Sequence, residues 1–448
     1  MKSIWRINIS TIFKTIFLLL IPALVFNFEI NLSGIGASGE ERIGYAGSRE
    51  DNYDFGTSQA VGIKLFDILW LILMCFVISN FKKEKLNLVI PYKPIFISYC
   101  LFLLICLVSI ILNFNLYTSS QFIILCLYFL KLFQVLFILF FCRLFFLYGG
   151  NTAQILYTSA LTIIFASLIG IINSILIKNF ELYLFSSIIP DRVQFYGIIL
   201  LIVSYISIHF TQTINNAKNL NMLIAAFILG IIAIFMCEKR TLILGLLTLF
   251  LYAIFIFRSS KSTKFLMLSI LIFGIFMLPS VIDFDSTFNR DTVEITAGLG
   301  TRWAEAIGSS FLADLEIGGL DYSFTERLAK TIFGIQLIQE NFFIGTGFWG
   351  APYAHNFIPD NGIIQLWIET GLIGTFFFFL FLFCTIKKSK NTNKNSFFTQ
   401  ARKVMPLILL TLSLTANAFY MFNMLSIYLI IIISWSEGFK NENKIQYD

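Results

Sequence analysis

Long apolar runs separated by short polar gaps set the character of this chain. They fall at about 7–28, 61–81, 94–114, 119–148, 152–177, 193–213, 221–237, 241–257, 265–282 and 361–386. A helix needs roughly 20 apolar residues to cross a bilayer, so each run reads as one span. The last stretch, Val404–Trp435, is too long for one helix and short for two. Polar Asn417 and Asn423 near its middle favour a hairpin of two short helices. The expected fold is an all-α polytopic membrane protein of about twelve transmembrane helices with one large helical outer loop.

Basic residues then fix the expected orientation. With the N-terminus inside, Lys82, Lys83, Lys85 and Lys93 face the cytoplasm, as do Arg258, Lys261 and Lys264. The cluster from Lys387 to Lys403 and the Lys440/Lys444 tail follow the same side. The opposite loops are poorer in Lys and Arg and carry acid, for example Glu40, Glu41, Glu50, Asp51 and Asp54. Both termini inside satisfies the positive-inside rule throughout. The first span lacks a clean small-residue cleavage site and reads as a retained helix. The chain then divides into a bundle over 1–282, a large outer loop over 283–360, closing helices over 361–437 and a cytoplasmic tail over 438–448.

Composition narrows the function. Of 448 residues 57% are hydrophobic and 13% charged, with 52 Phe; soluble domains carry about twice that charged fraction. The net charge of +6 comes from basic residues clustered in short loops, as topology requires, so no nucleic-acid partner is implied. All seven cysteines lie in or beside apolar runs, which argues against a disulfide framework or a thiolate metal site. Asp51-x-x-Asp54 has the residue types for a divalent ion, but a solvated acidic loop explains it as well, and no metal or other cofactor is expected.

Candidate chemistry concentrates in the long outer loop and on the neighbouring outer ends of helices. Two amphipathic helices are expected there. One is Ala297–Phe311, with Arg302; the other starts at the capping-box spacing Ser323-Phe-Thr-Glu326. In the second, Leu328, Ile332, Ile335 and Ile338 recur at helical spacing as an apolar stripe, with Arg327, Lys330, Thr331 and Gly334 largely opposite. Gly345-x-Gly347 follows and implies a tight turn rather than a nucleotide loop, because the P-loop spacing and its Lys-Ser/Thr pair are missing. Next come His355-Asn356 and then Glu369, two turns or so into an apolar helix, where an ionisable group is costly and usually paired or functional. The other histidine, His209, belongs to the opposite side of the membrane. Arg192 and Arg240 open apolar runs on the same outer side as His355.

Together these residues resemble the O-antigen ligase/polymerase family of bacterial envelope glycosyltransferases. The matching pattern is Arg327, Gly345-x-Gly347, His355-Asn356 and Glu369-x-Gly371, with Arg240-Thr241 and Arg192 upstream. Phe342 stands where many members have proline and Thr331 where many have an aromatic, and the length of 283–322 lets Arg302 compete with Arg327 for one role. The resemblance implies transfer of a glycan from undecaprenyl pyrophosphate to an acceptor sugar at the outer, periplasmic face of the inner membrane, without a metal. It assigns His355, Arg327 and Arg192 to catalysis. Arg240, Arg302, Asn356, Glu369, Gly345 and Gly347 are assigned to substrate binding. A flippase and a chain-length regulator are expected partners besides the bilayer and the lipid-linked oligosaccharide. Three readings remain open: a polymerase extending a lipid-linked repeat, a ligase transferring to lipid A-core, and a flippase or other transporter. Transporters often place charges at midplane on broken helices, whereas here the polar candidates gather on one side.

Overall fold

The computed structural model describes residues 9–26, 29–30, 63–81, 92–177, 192–210, 220–236, 240–255, 322–351, 359, 361–386, 397–414 and 422–445. In chain order the helices are α1 (Ile9–Phe26), α2 (Leu65–Phe81), α3 (Lys93–Leu112), α4 (Ser119–Leu147), α5 (Thr152–Ile177) and α6 (Arg192–Phe210). They continue with α7 (Leu220–Met236), α8 (Arg240–Phe255), α9 (Tyr322–Glu340), α10 (Gly362–Ile386), α11 (Phe397–Ser413) and α12 (Phe422–Ile445). A two-residue antiparallel pairing joins Glu29–Ile30 to Ile63–Lys64. The last apolar stretch is indeed two helices, and Asn423 sits in the first turn of α12. Four helices are both long and apolar enough to cross a bilayer: α3, α4, α5 and α10. Helices α1, α2, α6, α7, α8, α11 and α12 hold shorter apolar segments among the described residues, and the expected span at 265–282 lies outside them.

Local chemistry explains the helix boundaries. Thr118 and Gln121 form a capping box at the start of α4, each side chain taking the other's backbone N–H. Asn151 and Gln154 do the same ahead of α5. Inside the apolar helices, the hydroxyls of Ser98, Thr162, Ser204, Thr370, Thr411 and Ser413 donate back to the carbonyl four residues earlier. That removes the cost of a bare hydroxyl in hydrocarbon.

Helices α6 and α12 form the centre. Ile198 to Ile206 and Met424 to Ile433 are almost wholly shielded, and Trp435 closes the row against Tyr205. Around them the other helices turn large apolar side chains outward, with Ile78 62%, Phe165 60% and Phe383 61% exposed. A water-soluble domain would not tolerate so many; a lipid-facing surface requires them. This is a membrane protein by its surface as well as by its sequence.

One end of the bundle gathers the polar contacts. The end of α3, the start of α4, the start of α10 and the turn after α9 meet there. Gly197 of α6 and Gly245 of α8 both pack at Leu412, near the end of α11. The helix starts at Arg192 and Arg240, each five residues earlier, are therefore brought to a common end.

Two expectations for α9 need correction. The helix begins at Tyr322, so Ser323 lies inside its first turn rather than capping it. Its buried face is also rotated from the expected stripe. Gly334, Leu337 and Ile338 pack inward with Ala351 and Ile368, while Ile335 is 46% exposed. Sequence spacing alone ranked Ile335 as buried, but the packing of Leu337 and Ile338 against Ile368 of α10 turns it outward.

Candidate active site

Helix α10 is broken on purpose. Gly371 stands inside it at φ 64°, ψ −173°, a conformation that ends one helical segment and starts another. A break in an apolar helix frees backbone groups, and each must find a partner. The turn after α9 supplies them. Thr346 N–H donates to Ile368 O (2.9 Å) and Gly347 N–H to Glu369 O (3.0 Å). In return Leu372 N–H donates to Phe342 O (2.8 Å) and Ile373 N–H to Phe343 O (3.3 Å).

The glycines make this mutual approach possible. A Cβ on Gly345 (φ 76°) would overlap the backbone of Glu369 and come within 2.6 Å of Gly371 N. A Cβ on Gly371 would overlap the backbone of Phe343 and Ile344. Each glycine is thus the space into which the other strand of the interlock fits. Gly347, at φ 110°, completes the turn.

Helix α3 clamps the assembly from the other side. Ser109 Oγ lies within hydrogen-bonding reach of both Ile344 O (2.8 Å) and Glu369 O (2.9 Å). Asn113 Nδ2 donates to Gly345 O (2.9 Å), and the Tyr117 hydroxyl donates to Thr346 O. Burial pushes the Tyr117 phenol pKa up, and the nearby Glu369 carboxylate pushes it the same way, so Tyr117 stays a neutral donor.

Glu369 is fully buried about 10 Å along α10. Its Oε2 accepts the Trp349 backbone N–H at 2.7 Å, and its Oε1 accepts Gln365 Nε2 at 2.9 Å. Trp349 has φ 59°, uncommon for a residue with a side chain, and the carboxylate holds it there. Asn361, Gln365 and Glu369 recur every four residues as a polar row on α10, with the Asn361 side chain capping Ile363 and Ile364 N–H.

Of the residues singled out from sequence, Glu369, Gly345 and Gly347 converge in this interlock. Arg192, Arg240 and Arg327 are placed through their backbones, the first two opening α6 and α8 and the third in the second turn of α9. His355, Asn356, Arg302, Asp51, Asp54 and the expected helix Ala297–Phe311 lie outside the described residues. The ends of the His355 segment are nevertheless fixed: Ala351 is buried against α9 and α10, and Asn361 caps α10. Sequence reasoning missed Ser109, Asn113, Tyr117, Trp349 and Gln365. The first three are more than 220 positions from their partners, and no local pattern marks them. Gln365, four residues before Glu369, was legible as an i, i+4 partner.

Residues 225–379 match the family model described as O-antigen ligase. Over those residues, about a third of the chain, the protein is similar to the O-antigen ligase family. The match runs from α7 into α10, and so includes Arg240, Arg302, Arg327, the glycine turn, His355-Asn356 and Glu369, but not Arg192. No curated protein matches the chain. Among the described residues no three His, Cys, Asp or Glu side chains gather as metal ligands would.

Proposed function

We propose that this protein is a membrane glycosyltransferase that polymerises envelope polysaccharide. In this reading it moves a glycan from undecaprenyl pyrophosphate to the acceptor sugar of a lipid-linked repeat unit, at the periplasmic face of the inner membrane. The observation that carries the reading is the glycine-turn interlock within the family-matched segment. It anchors the chain on both sides of His355-Asn356 at the end of the bundle where α6 and α8 begin.

The chemistry follows from what leaves and what attacks. Breaking a sugar–pyrophosphate bond develops negative charge on the leaving group, which guanidinium forks are suited to hold. Arg192 and Arg327 clamp the pyrophosphate, with Arg240 as a third contact and Arg302 as the competing loop arginine. His355 removes the proton from the acceptor hydroxyl, because its ordinary pKa of about 6.5 suits a base near neutrality. Direct displacement inverts the anomeric centre. Asn356 orients the imidazole or contacts sugar, and Gly345, Gly347 and Glu369 hold the turn that precedes it.

Deleting the gene and displaying surface glycan on a gel, with lipid-linked intermediates probed alongside, tests the assignment. Core bearing a single repeat, with the ladder gone, is the polymerase outcome. Bare core with long polymer stranded on the carrier would make the protein a ligase instead. Accumulation of unextended repeats on the cytoplasmic face would make it a flippase. His355→Ala is expected to abolish the ladder at normal protein level, and near-normal glycan from that variant overturns the mechanism.

A further inference from the structure

Beyond the pyrophosphate clamp, the interlock carries a second kind of chemistry that no assigned residue uses. Trp349 keeps a left-handed backbone in a turn otherwise rich in glycine, where glycine itself would cost nothing. A non-glycine residue in such a conformation is strained by on the order of 1–3 kcal/mol and persists where its side chain is wanted. That side chain is partly exposed and lies against Tyr128 of α4, with ring centroids 4.8 Å apart and planes inclined by 39°. The indole N–H, which only donates, also hydrogen-bonds the Tyr128 hydroxyl. The two rings form one aromatic surface, itself partly exposed.

A separate observation beside it points to a ligand. Gln365 is completely buried, and its Nε2 is committed to the Glu369 carboxylate. Both Glu369 oxygens accept, from Trp349 N–H and Gln365 Nε2, so the amide is held with Oε1 turned away. That oxygen is buried and has no donor among the described residues. Nearby donors are spent: Trp349 N–H on Glu369, Thr370 Oγ on Leu366 O, and Ile363 and Ile364 N–H on Asn361. Leaving a buried carbonyl unmet costs about 1–3 kcal/mol, an expense that an apolar residue would avoid.

An aromatic face next to a fixed acceptor fits a sugar ring, whose C–H face stacks and whose hydroxyls donate. It does not fit the doubly esterified diphosphate of a lipid-linked glycan, which carries no proton at neutral pH and would meet the Glu369 carboxyl group. Resting on the glycosyl-transfer reading, we propose that Trp349, backed by Tyr128, is the platform for one sugar ring of the lipid-linked glycan. Gln365 Oε1, sealed in the ligand-free protein, receives a hydroxyl of that sugar when binding opens the packing over it. The interlock thus divides labour with the arginines, which take the phosphates.

The test uses full-length detergent-solubilised protein and two readouts. Calorimetry with the free repeat-unit oligosaccharide reads sugar binding without requiring transfer; steady-state transfer from lipid-linked repeats, with donor and acceptor varied in turn, reads KM and kcat. Trp349→Gly, which relieves the backbone, is expected to weaken oligosaccharide binding at least tenfold. It should raise KM for one of the two substrates by a similar factor while changing kcat less than threefold; which KM moves identifies the donor or the acceptor sugar. Trp349→Phe should recover binding to within about threefold. Gln365→Met also takes the Nε2 donor from Glu369, so it should weaken oligosaccharide binding together with a fall in the melting temperature of the ligand-free protein. Unchanged oligosaccharide binding in Trp349→Gly, or equal binding loss in Trp349→Phe, overturns the platform. Binding that depends on Trp349 in a protein that transfers nothing would keep the sugar site and refute the transferase reading.

Discussion

Two glutamine–carboxylate pairs lie among the described residues, and they are held in different ways. In α10, Gln365 donates to Glu369, whose other oxygen takes a backbone N–H from the strained Trp349 turn. Between α2 and α4, Gln134 donates to Asp67 (3.3 Å), which also pairs with the Lys131 ammonium and accepts Lys64 N–H (3.1 Å). Both ammoniums, Lys64 and Lys131, lie over the Phe422 ring at 5.6 and 5.4 Å. The Asp67 cluster ties three helix segments together by charge. The Glu369 pair ties a carboxylate to one loop conformation by geometry. A charge pair tolerates small shifts, whereas a backbone interlock does not, so the first arrangement suits structure and the second suits a site.

The sharpest way to break the comparison is Gly371→Ala. Its Cβ would overlap backbone rather than a movable side chain, at a left-handed φ. Overpacking of about 1–3 kcal/mol adds to roughly 1–2 kcal/mol of backbone strain, so the melting temperature in detergent should fall steeply and surface glycan should vanish.

Glu369→Ala comes next. It leaves the Trp349 N–H and the Gln365 amide without acceptors, at about 1–3 kcal/mol each. Transfer per folded molecule should drop more than tenfold, measured against His355→Ala as the inactive reference. A variant that transfers normally would show that the interlock is only structural.

Asp67→Asn sharpens the contrast. It should cost about 1–2 kcal/mol, less than a fully buried pair would, since the Lys131 and Asp67 side chains are 28% and 14% exposed. Replacing both with leucine should recover part of that loss in thermal melts, and transfer per folded molecule should stay within twofold of wild type.

The smallest expected effect is Tyr117→Phe, about 1 kcal/mol for one lost hydrogen bond. It carries a pH signature. Because the folded-state phenol pKa is raised, the stability it provides is present below about pH 10 and declines as pH climbs past that ordinary value. Wild-type melting should therefore fall more steeply above pH 10 than that of Tyr117→Phe.

Hydropathy placed helices near their observed positions because the solvent, not a partner, dictates them: a segment in hydrocarbon must be apolar and must satisfy its own backbone. Val404–Trp435 divides into α11 and α12 with Asn423 at the start of the second, while Asn417 lies outside the described residues. The face of α9 was misread because Ile332 and Ile335 look more buried than Gly334 on any hydropathy scale, and only the presence of α10 reverses the ranking. Likewise Glu369 was recognisable as costly, while the Trp349 N–H that donates to it was not.

Sequence by itself determined the membrane class, the helix positions, the family pattern around Gly345, Glu369 and Gly371, and the expected orientation. These depend on composition and spacing along one chain. Tertiary structure decided that Gly345 and Gly371 fill each other's space, that Ser109, Asn113 and Tyr117 clamp the turn, and that Gln365 keeps an acceptor without a donor. Those facts depend on which backbones approach within hydrogen-bonding distance, and residues more than 220 positions apart acquire that relation only by folding.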